Sequence, residues 1–160
     1  MMDTAQILYT LKDVSLFLGV YPSDVLRTSI TRSVTLIVNT DPHTAKGTHW
    51  LAIHLQPRSY SGYFFDSYAL LPLNPSILTF LRCAFSVWEY NTIQLQGWNS
   101  TVCGEYCCLF ALYMDLGTRR GTLWASSMPP PLIDRSAAYL HQSLDRCVGH
   151  VAGVGAALHL

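Results

Sequence analysis

The stretch QGWNSTVCGEYCCLF, residues 96–110, places one of its three cysteines where a helix is predicted to begin. Unpaired backbone N–H groups and the helix dipole stabilise a thiolate at a helix N-terminus. A thiol inside the helix packs instead as a small apolar group, and its pKa rises. We therefore identify Cys103 as the candidate reactive cysteine and predict that Cys107 and Cys108 lie in the core. Gly104 is expected to leave the backbone beside Cys103 open to a substrate carbonyl.

The segments around this stretch predict an α+β fold, a small mixed β-sheet packed against the Cys103 helix with flanking helices. Residues 34–40 are rich in β-branched side chains, as in a buried strand. Residues 49–56 and 63–68 are predicted to form an antiparallel hairpin around the turn at residues 57–62. The other predicted elements are a helix over 4–19, a helix over 76–88 with Ser76 as N-cap, a strand over 91–96, the cysteine helix over 103–117 ended by Gly117, and a last helix over 136–147. One side of the cysteine helix is expected to be buried, and it carries Tyr106, Cys107, Phe110, Ala111 and Met114.

Composition indicates one globular domain over residues 1–160, with a tail over 149–160 that either packs on the body or stays loose. Of the 160 residues, 50% are hydrophobic and only 12% are charged, which argues against disorder. No apolar run reaches the roughly 18 residues of a spanning helix, and the first residues lack a signal-peptide pattern. The five cysteines are odd in number and lack metal-ligand spacing, so we expect reduced thiols in an intracellular compartment and no metal site.

The net charge of the chain gives no argument for nucleic-acid binding, because ten basic residues balance ten acidic ones. The adjacent pair Arg119 and Arg120 either meets a phosphate or complements the dipole of the preceding helix.

A nucleophilic cysteine needs a base, a group that orients the base, and donors for the developing oxyanion. His49 begins one predicted strand and Asp66 lies near the end of its hairpin partner, so the two side chains are expected within hydrogen-bond reach. His54 competes with His49. An odd number of residues separates them, so they face opposite sides of the strand, and periodicity alone does not choose between them. The amide of Gln96 is a candidate oxyanion donor together with the backbone N–H of Cys103.

These residues carry a resemblance to the adenovirus maturation proteases, the adenain family. The run GTHWLAIHLQPRSYSGYFFDSY at residues 47–68 resembles the His-Trp strand and the acidic strand of that family. The run at residues 96–110 resembles its Gln-Gly-x-Asn-Ser-x-x-Cys-Gly segment, and FLGVYPSDVL and IVNT resemble its N-terminal region. The similarity extends from about Phe17 to about Met114.

Carried over residue by residue, the resemblance implies that Cys103 is the nucleophile and His49 its base. Asp66 stands where the human adenovirus enzymes have a glutamate, and the related ubiquitin-like-protein proteases of the same clan use an aspartate there. Gln96 and the backbone amide of Cys103 would form the oxyanion hole. Trp50 would form a structural wall of the substrate site.

The implied activity is that of a cysteine endopeptidase, which cleaves viral capsid and core precursors at glycine-containing sites through an acyl-enzyme thioester. The implied setting is the host nucleus and the virion, with polypeptide substrates, no membrane and a monomeric enzyme. Members of the family are activated by a disulfide-held peptide and by DNA. This chain departs from that pattern, because it is neutral and its nearest cysteine before Gln96, Cys83, is not at the matching position.

Two other functions remain open at this point. A deconjugating protease for ubiquitin-like modifiers would share the site but would need a broad surface for a folded partner. A catalytically silent virion or binding protein could keep the fold, although all four chemical positions are filled.

Overall fold

The computed structural model describes residues 1–27 and 29–119. Its helices are α1 (Thr4–Leu11), α2 (Pro75–Ala84) and α3 (Cys103–Arg119), and its strands are β1 (Phe17–Pro22), β2 (Val34–Asn39), β3 (Trp50–Gln56), β4 (Ser61–Phe65) and β5 (Val87–Tyr90). The predicted helix over 136–147, the tail over 149–160, and residues Arg120 and Cys147 lie outside the described residues.

The five strands form one mixed sheet in the order β1-β2-β3-β4-β5, which confirms the α+β prediction. The β1–β2 and β4–β5 pairs are parallel, and the two central pairs are antiparallel. The predicted hairpin is β3 and β4, joined by a single 3-10 turn at Pro57–Ser59 and by Tyr60 in the left-handed region at φ 49°.

Both faces of the sheet are covered. On one face Ile37, Ala52 and Phe65 pack against α1 and α3, and on the other face Leu36 and Ile53 pack against α2. All six residues of β2 are buried, because a central strand covered on both sides has no solvent face. In the described part of the chain, no helix is long and apolar enough to cross a membrane.

The predicted helix over residues 4–19 is wrong beyond Leu11. Asp3 caps α1 through a capping box with Gln6, but the helix ends after eight residues. Residues 17–22 form β1, because their backbone pairs with the edge of β2. The register shifts between Phe17 and Gly19, and Gly19 takes φ +152° there, a conformation that L side chains rarely adopt. This long-range pairing overrides the local apolar spacing.

The N-cap of α2 is Asn74 and not Ser76. The Asn74 side chain accepts hydrogen bonds from the backbone N–H groups of Ser76 and Ile77, and Pro75 takes the first helical position. An Asn-Pro pair is a combined cap and helix-start signal, so the helix begins one residue before the predicted start.

The predicted end of this helix and the predicted strand after it are also wrong. The helix ends at Ala84, and residues 87–90 form β5, in which Trp88 is buried on the α2 face of the sheet. Residues 91–96 are irregular, because the backbone N–H groups of Leu95 and Gln96 both bond to the carbonyl of Ser67 instead of to a strand ladder.

Helix α3 begins at Cys103, as predicted, and continues through Gly117 to Arg119. A glycine inside a helix costs only about 1 kcal/mol relative to alanine, so Gly117 does not by itself end the helix. The predicted buried side is confirmed, with Cys107, Phe110, Ala111 and Met114 in the core and Tyr106 half-buried against it.

Candidate active site

The candidate site forms where three elements meet. His49 directly precedes β3, Asp66 directly follows β4, and Cys103 is the first residue of α3. The antiparallel pairing of Ala52 with Phe65 brings the start of β3 beside the end of β4. Cys103 and Trp50 belong to one core cluster, so the N-terminus of α3 lies at these strand ends.

His49 and Asp66 are hydrogen-bonded, with 2.8 Å between His49 Nε2 and Asp66 Oδ1. The carboxyl oxygen accepts this bond, so Nε2 carries a proton and Nδ1 is the ring nitrogen left to bond with the Cys103 sulfur. Asp66 is itself held in place. Its Oδ1 accepts from the backbone N–H of Tyr68 at 2.9 Å, and its backbone N–H and C=O both bond to the Asn91 side chain, at 3.0 and 2.6 Å.

The Cys103 thiol and the His49 imidazole form an acid–base pair. Burial raises the pKa of Cys103, but the hydrogen bond with His49, the backbone N–H groups of Trp50 and Gly104 and the His49 charge lower it below its ordinary value. Burial also lowers the pKa of His49, but the hydrogen bonds to Asp66 and Cys103 and their charges raise it to about 9. Both shifts favour the charged forms, the thiolate of Cys103 and the imidazolium of His49.

The other two described helix cysteines behave as core thiols, which confirms that prediction. Burial raises the pKa of Cys107 well above its ordinary value, and it raises the pKa of Cys108 to about 11. Both are buried free thiols. Among these three helix cysteines, only Cys103 has a lowered pKa.

His54 occupies the core and not the site. It lies two residues from Ala52, so its side chain is on the α3 side of the sheet, and its Nδ1 is 2.9 Å from the hydroxyl of Thr35. Burial lowers its pKa to about 4. Strand alternation thus places His54 on the cysteine-helix side, and His49 reaches Cys103 only because it lies outside the strand, where alternation does not hold.

Gln96 is 2% exposed and every polar atom of its amide is engaged. Its Oε1 accepts from the Ser67 hydroxyl at 2.7 Å, and its Nε2 donates to the Ser100 carbonyl at 2.7 Å and to the Tyr68 hydroxyl at 3.0 Å. The amide therefore lies in the loop that leads to Cys103, with both of its hydrogens donated to neighbouring groups.

The expected open space at Gly104 is filled. Trp50 is buried, and its indole N–H donates to the Met2 carbonyl at 2.8 Å. A Cβ at Gly104 would stand 2.9 Å from Met2 Cβ and 3.3 Å from Trp50 Cδ1. Glycine at this position thus lets the start of α3 approach Trp50 and the N-terminal segment closely, and it does not leave the backbone open there.

Sequence reasoning missed four residues around the site: Ser67, Tyr68, Asn91 and Trp98. The centroids of the Tyr68 and His49 rings are 4.9 Å apart, and Tyr68 also stacks on Trp98, with centroids 5.0 Å apart and planes 9° from parallel. The available signal was the position of Ser67 and Tyr68 directly after Asp66. For Asn91 no local pattern pointed to a contact with a residue 25 positions away.

A thiol at a helix N-terminus, beside an imidazole that a carboxylate orients, is the arrangement of the thiol-dependent hydrolases. Within residues 1–27 and 29–119, no group of three or more His, Cys, Asp or Glu side chains is placed to hold a metal ion.

In sequence, the chain is similar to the adenovirus endoprotease family, whose model matches residues 17–74. It is 32% identical over 90 residues to proteases of bovine adenovirus B serotype 3 and human adenovirus A serotype 12, covering 46% of this chain and 43% of each relative. A protease of bovine adenovirus 2 is 33% identical over 88 residues, covering 46% of this chain and 42% of the relative.

These matches confirm the predicted resemblance to the adenovirus maturation proteases. They span less than half the length of each relative. The family match contains His49, Trp50 and Asp66, and it ends before Gln96 and Cys103.

Proposed function

We propose that this protein is a cysteine endopeptidase in which Cys103 is the nucleophile, His49 the general base and acid, and Asp66 the group that orients His49. The observation that carries the proposal is the 2.8 Å bond between His49 and Asp66 beside a thiol whose pKa is lowered. The similarity to adenovirus proteins named Protease supports a viral peptidase.

In the proposed reaction the Cys103 thiolate attacks the scissile carbonyl carbon. The S–C bond forms as the carbonyl π pair moves onto oxygen. When the oxyanion collapses, the C–N bond breaks and the His49 imidazolium gives its proton to the leaving amine, which leaves a thioester. His49, now neutral, takes a proton from water as the water attacks the thioester, and the acid product and the thiolate–imidazolium pair are restored.

Gln96 Nε2 and the backbone N–H of Cys103 are the proposed oxyanion donors. Donors of this kind act best when they are held in place before the reaction. Both hydrogens of Gln96 Nε2 are already donated, the shorter bond being the one to the Ser100 carbonyl. Donation to an oxyanion therefore requires this amide to share or exchange the Ser100 carbonyl for the substrate oxygen.

The proposed substrates are viral capsid and core precursors cut near glycine, in the host nucleus and the virion, by a monomeric enzyme that needs no activator. This part of the proposal is supported by the resemblance and by the neutral charge of the chain. Activation by a peptide or by DNA is the competing expectation, and the first experiment includes DNA for that reason.

The experiment is covalent labelling with a peptide vinyl sulfone that ends in Gly-Gly. Wild type, Cys103→Ala and Cys107→Ala are each labelled with and without DNA, and the modified residue is located by peptide mass. We expect labelling that persists in Cys107→Ala and vanishes in Cys103→Ala. Labelling that survives Cys103→Ala, or a folded wild type that is not labelled under either condition, would contradict the proposal.

Asp66 favours one second candidate, a deconjugating protease, because the related ubiquitin-like-protein proteases use an aspartate at this position. The same protein can be offered a precursor peptide and a folded ubiquitin-like modifier that carries a C-terminal extension. Cleavage of the folded modifier at a much higher kcat/KM than the peptide would favour this second function.

A further inference from the structure

The three residues that follow β4 contact both halves of the candidate site. Asp66 bonds to His49 and thereby orients the base. The next residue, Ser67, is fully buried and donates its hydroxyl to Gln96 Oε1 at 2.7 Å, and its carbonyl accepts the backbone N–H of Gln96 at 3.0 Å. The third, Tyr68, accepts from Gln96 Nε2 at 3.0 Å.

The hydrogen bonds define which way the Gln96 amide points. A backbone carbonyl can only accept, so the amide group 2.7 Å from Ser100 O must be the NH₂ group. The Tyr68 hydroxyl lies 3.3 Å from the same carbonyl and donates to it, which leaves the Tyr68 oxygen as an acceptor for Gln96 Nε2. The Ser67 hydroxyl then has the amide oxygen as its acceptor. Each contact requires the same orientation.

We propose that Ser67 and Tyr68 are positioning residues for the Gln96 amide, so that the segment Asp66-Ser67-Tyr68 orients both the base and the oxyanion donor. The inference rests on the proposed function, because it assigns Gln96 Nε2 to the oxyanion. A glutamine side chain has three rotatable bonds, so contacts that restrict its rotamers reduce the entropy lost when Nε2 exchanges the Ser100 carbonyl for an oxyanion. Ser67 fixes the oxygen end of the amide and Tyr68 the nitrogen end.

Two thiol reagents separate stabilisation of the oxyanion from the reactivity of the Cys103 thiol itself. With a peptide aldehyde that ends in glycinal, the Cys103 sulfur bonds to the aldehyde carbon, and the resulting oxyanion takes a proton from the His49 imidazolium to give a hemithioacetal. With iodoacetamide, the S–C bond forms as the C–I bond breaks and iodide leaves, so no oxyanion forms. Only the aldehyde reaction uses Gln96.

The test measures aldehyde inhibition, iodoacetamide alkylation, kcat and KM in Ser67→Ala and Tyr68→Phe. We expect about tenfold weaker aldehyde inhibition and about tenfold lower kcat, as for the loss of one buried hydrogen bond, with KM unchanged and the alkylation rate within about twofold of wild type. In a Gln96→Ala background neither substitution should have a further effect, because the group that they position is gone.

Tyr106→Phe is the matched control. It also removes a phenol hydroxyl, which bonds to the Leu95 carbonyl at 3.0 Å next to Gln96, but it leaves the Gln96 amide untouched. Its aldehyde inhibition should equal that of wild type. If Ser67→Ala does not fold, Tyr68→Phe still decides the question, because it keeps the ring and loses one oxygen.

Two results would overturn the inference while leaving the peptidase intact. One is aldehyde inhibition of Tyr68→Phe that is as strong as that of wild type. The other is aldehyde inhibition of Tyr106→Phe that is weakened as much as that of Tyr68→Phe, which would indicate general loosening of residues 94–96. A wild-type protein that is alkylated at Cys103 but neither binds the aldehyde nor cleaves peptide would instead overturn the proposed function, and this inference would fall with it.

Discussion

At the scale of single residues, the pairing of Cys103 with His49 predicts an unusual pH dependence of alkylation. The lowered pKa of Cys103 depends on His49, so iodoacetamide should react at a lower pH than it does with ordinary thiols. His49→Ala removes the hydrogen bond and the charge that lower the pKa of Cys103, while burial still raises it. The pKa should therefore rise, and alkylation at neutral pH should fall by about tenfold or more. The measurement is the alkylation rate from pH 5 to 9.

The control for this experiment is His43→Ala. His43 is exposed and bonds to Asp24 on another loop, so its removal should leave the profile unchanged.

Peptide cleavage should behave differently from alkylation at high pH. As pH rises through about 9 the imidazolium of His49 loses its proton, so turnover should fall while the thiolate continues to alkylate. If the alkylation rate of His49→Ala depends on pH as that of wild type does, the ion pair between Cys103 and His49 is contradicted.

At the scale of elements, Asn74 connects the start of α2 to the end of β2. Its Oδ1 accepts from Ser76 N at 2.9 Å and its Nδ2 donates to the Thr40 carbonyl at 2.7 Å. Asn74→Ala should lower the free energy of unfolding by about 1–2 kcal/mol, measured by urea titration. Ser76→Ala, at the position first expected to be the cap, should cost about 0.5 kcal/mol or less. Equal costs would show that Asn74 is not the effective cap.

The helices and strands that the sequence predicts correctly are those whose pattern lies in neighbouring residues. The β3–β4 hairpin and the start of α3 follow from neighbouring residues, and they place His49, Asp66 and Cys103 at adjoining ends. Strands β1 and β5 were missed because each is an edge strand that forms by parallel pairing with a distant segment. The bonds from Ser67 to Gln96 were missed for the same reason, since 29 residues separate the two.

At the scale of the whole molecule, the buried His54 predicts acid sensitivity. Its pKa is about 4 in the folded protein and about 6.5 when unfolded, so the unfolded chain binds the extra proton between these values. Stability should therefore fall as pH drops from 6.5 to 4, by at most on the order of 3 kcal/mol. His49 has the opposite sign, because its raised pKa stabilises the fold at low pH and this contribution is lost as pH rises towards 9.

The measurement is the urea-unfolding free energy of wild type and His54→Asn at pH 4.5 and 6.5. The asparagine keeps a polar group near Thr35 but does not titrate, so the variant should lose much of the difference between the two pH values. An unchanged difference would assign the acid sensitivity to other groups.

Trp98 stacks on Tyr68 beside the candidate site and is itself exposed to solvent. Of the three described tryptophans, Trp98 is 66% exposed, whereas Trp50 and Trp88 are 5% and 3% exposed. Its indole is thus open to a dissolved collisional quencher, and it stacks on the ring that lies next to His49. The molecule thus carries an intrinsic fluorophore beside the candidate site, and a ligand that covers this indole is expected to protect it from the quencher without an attached dye.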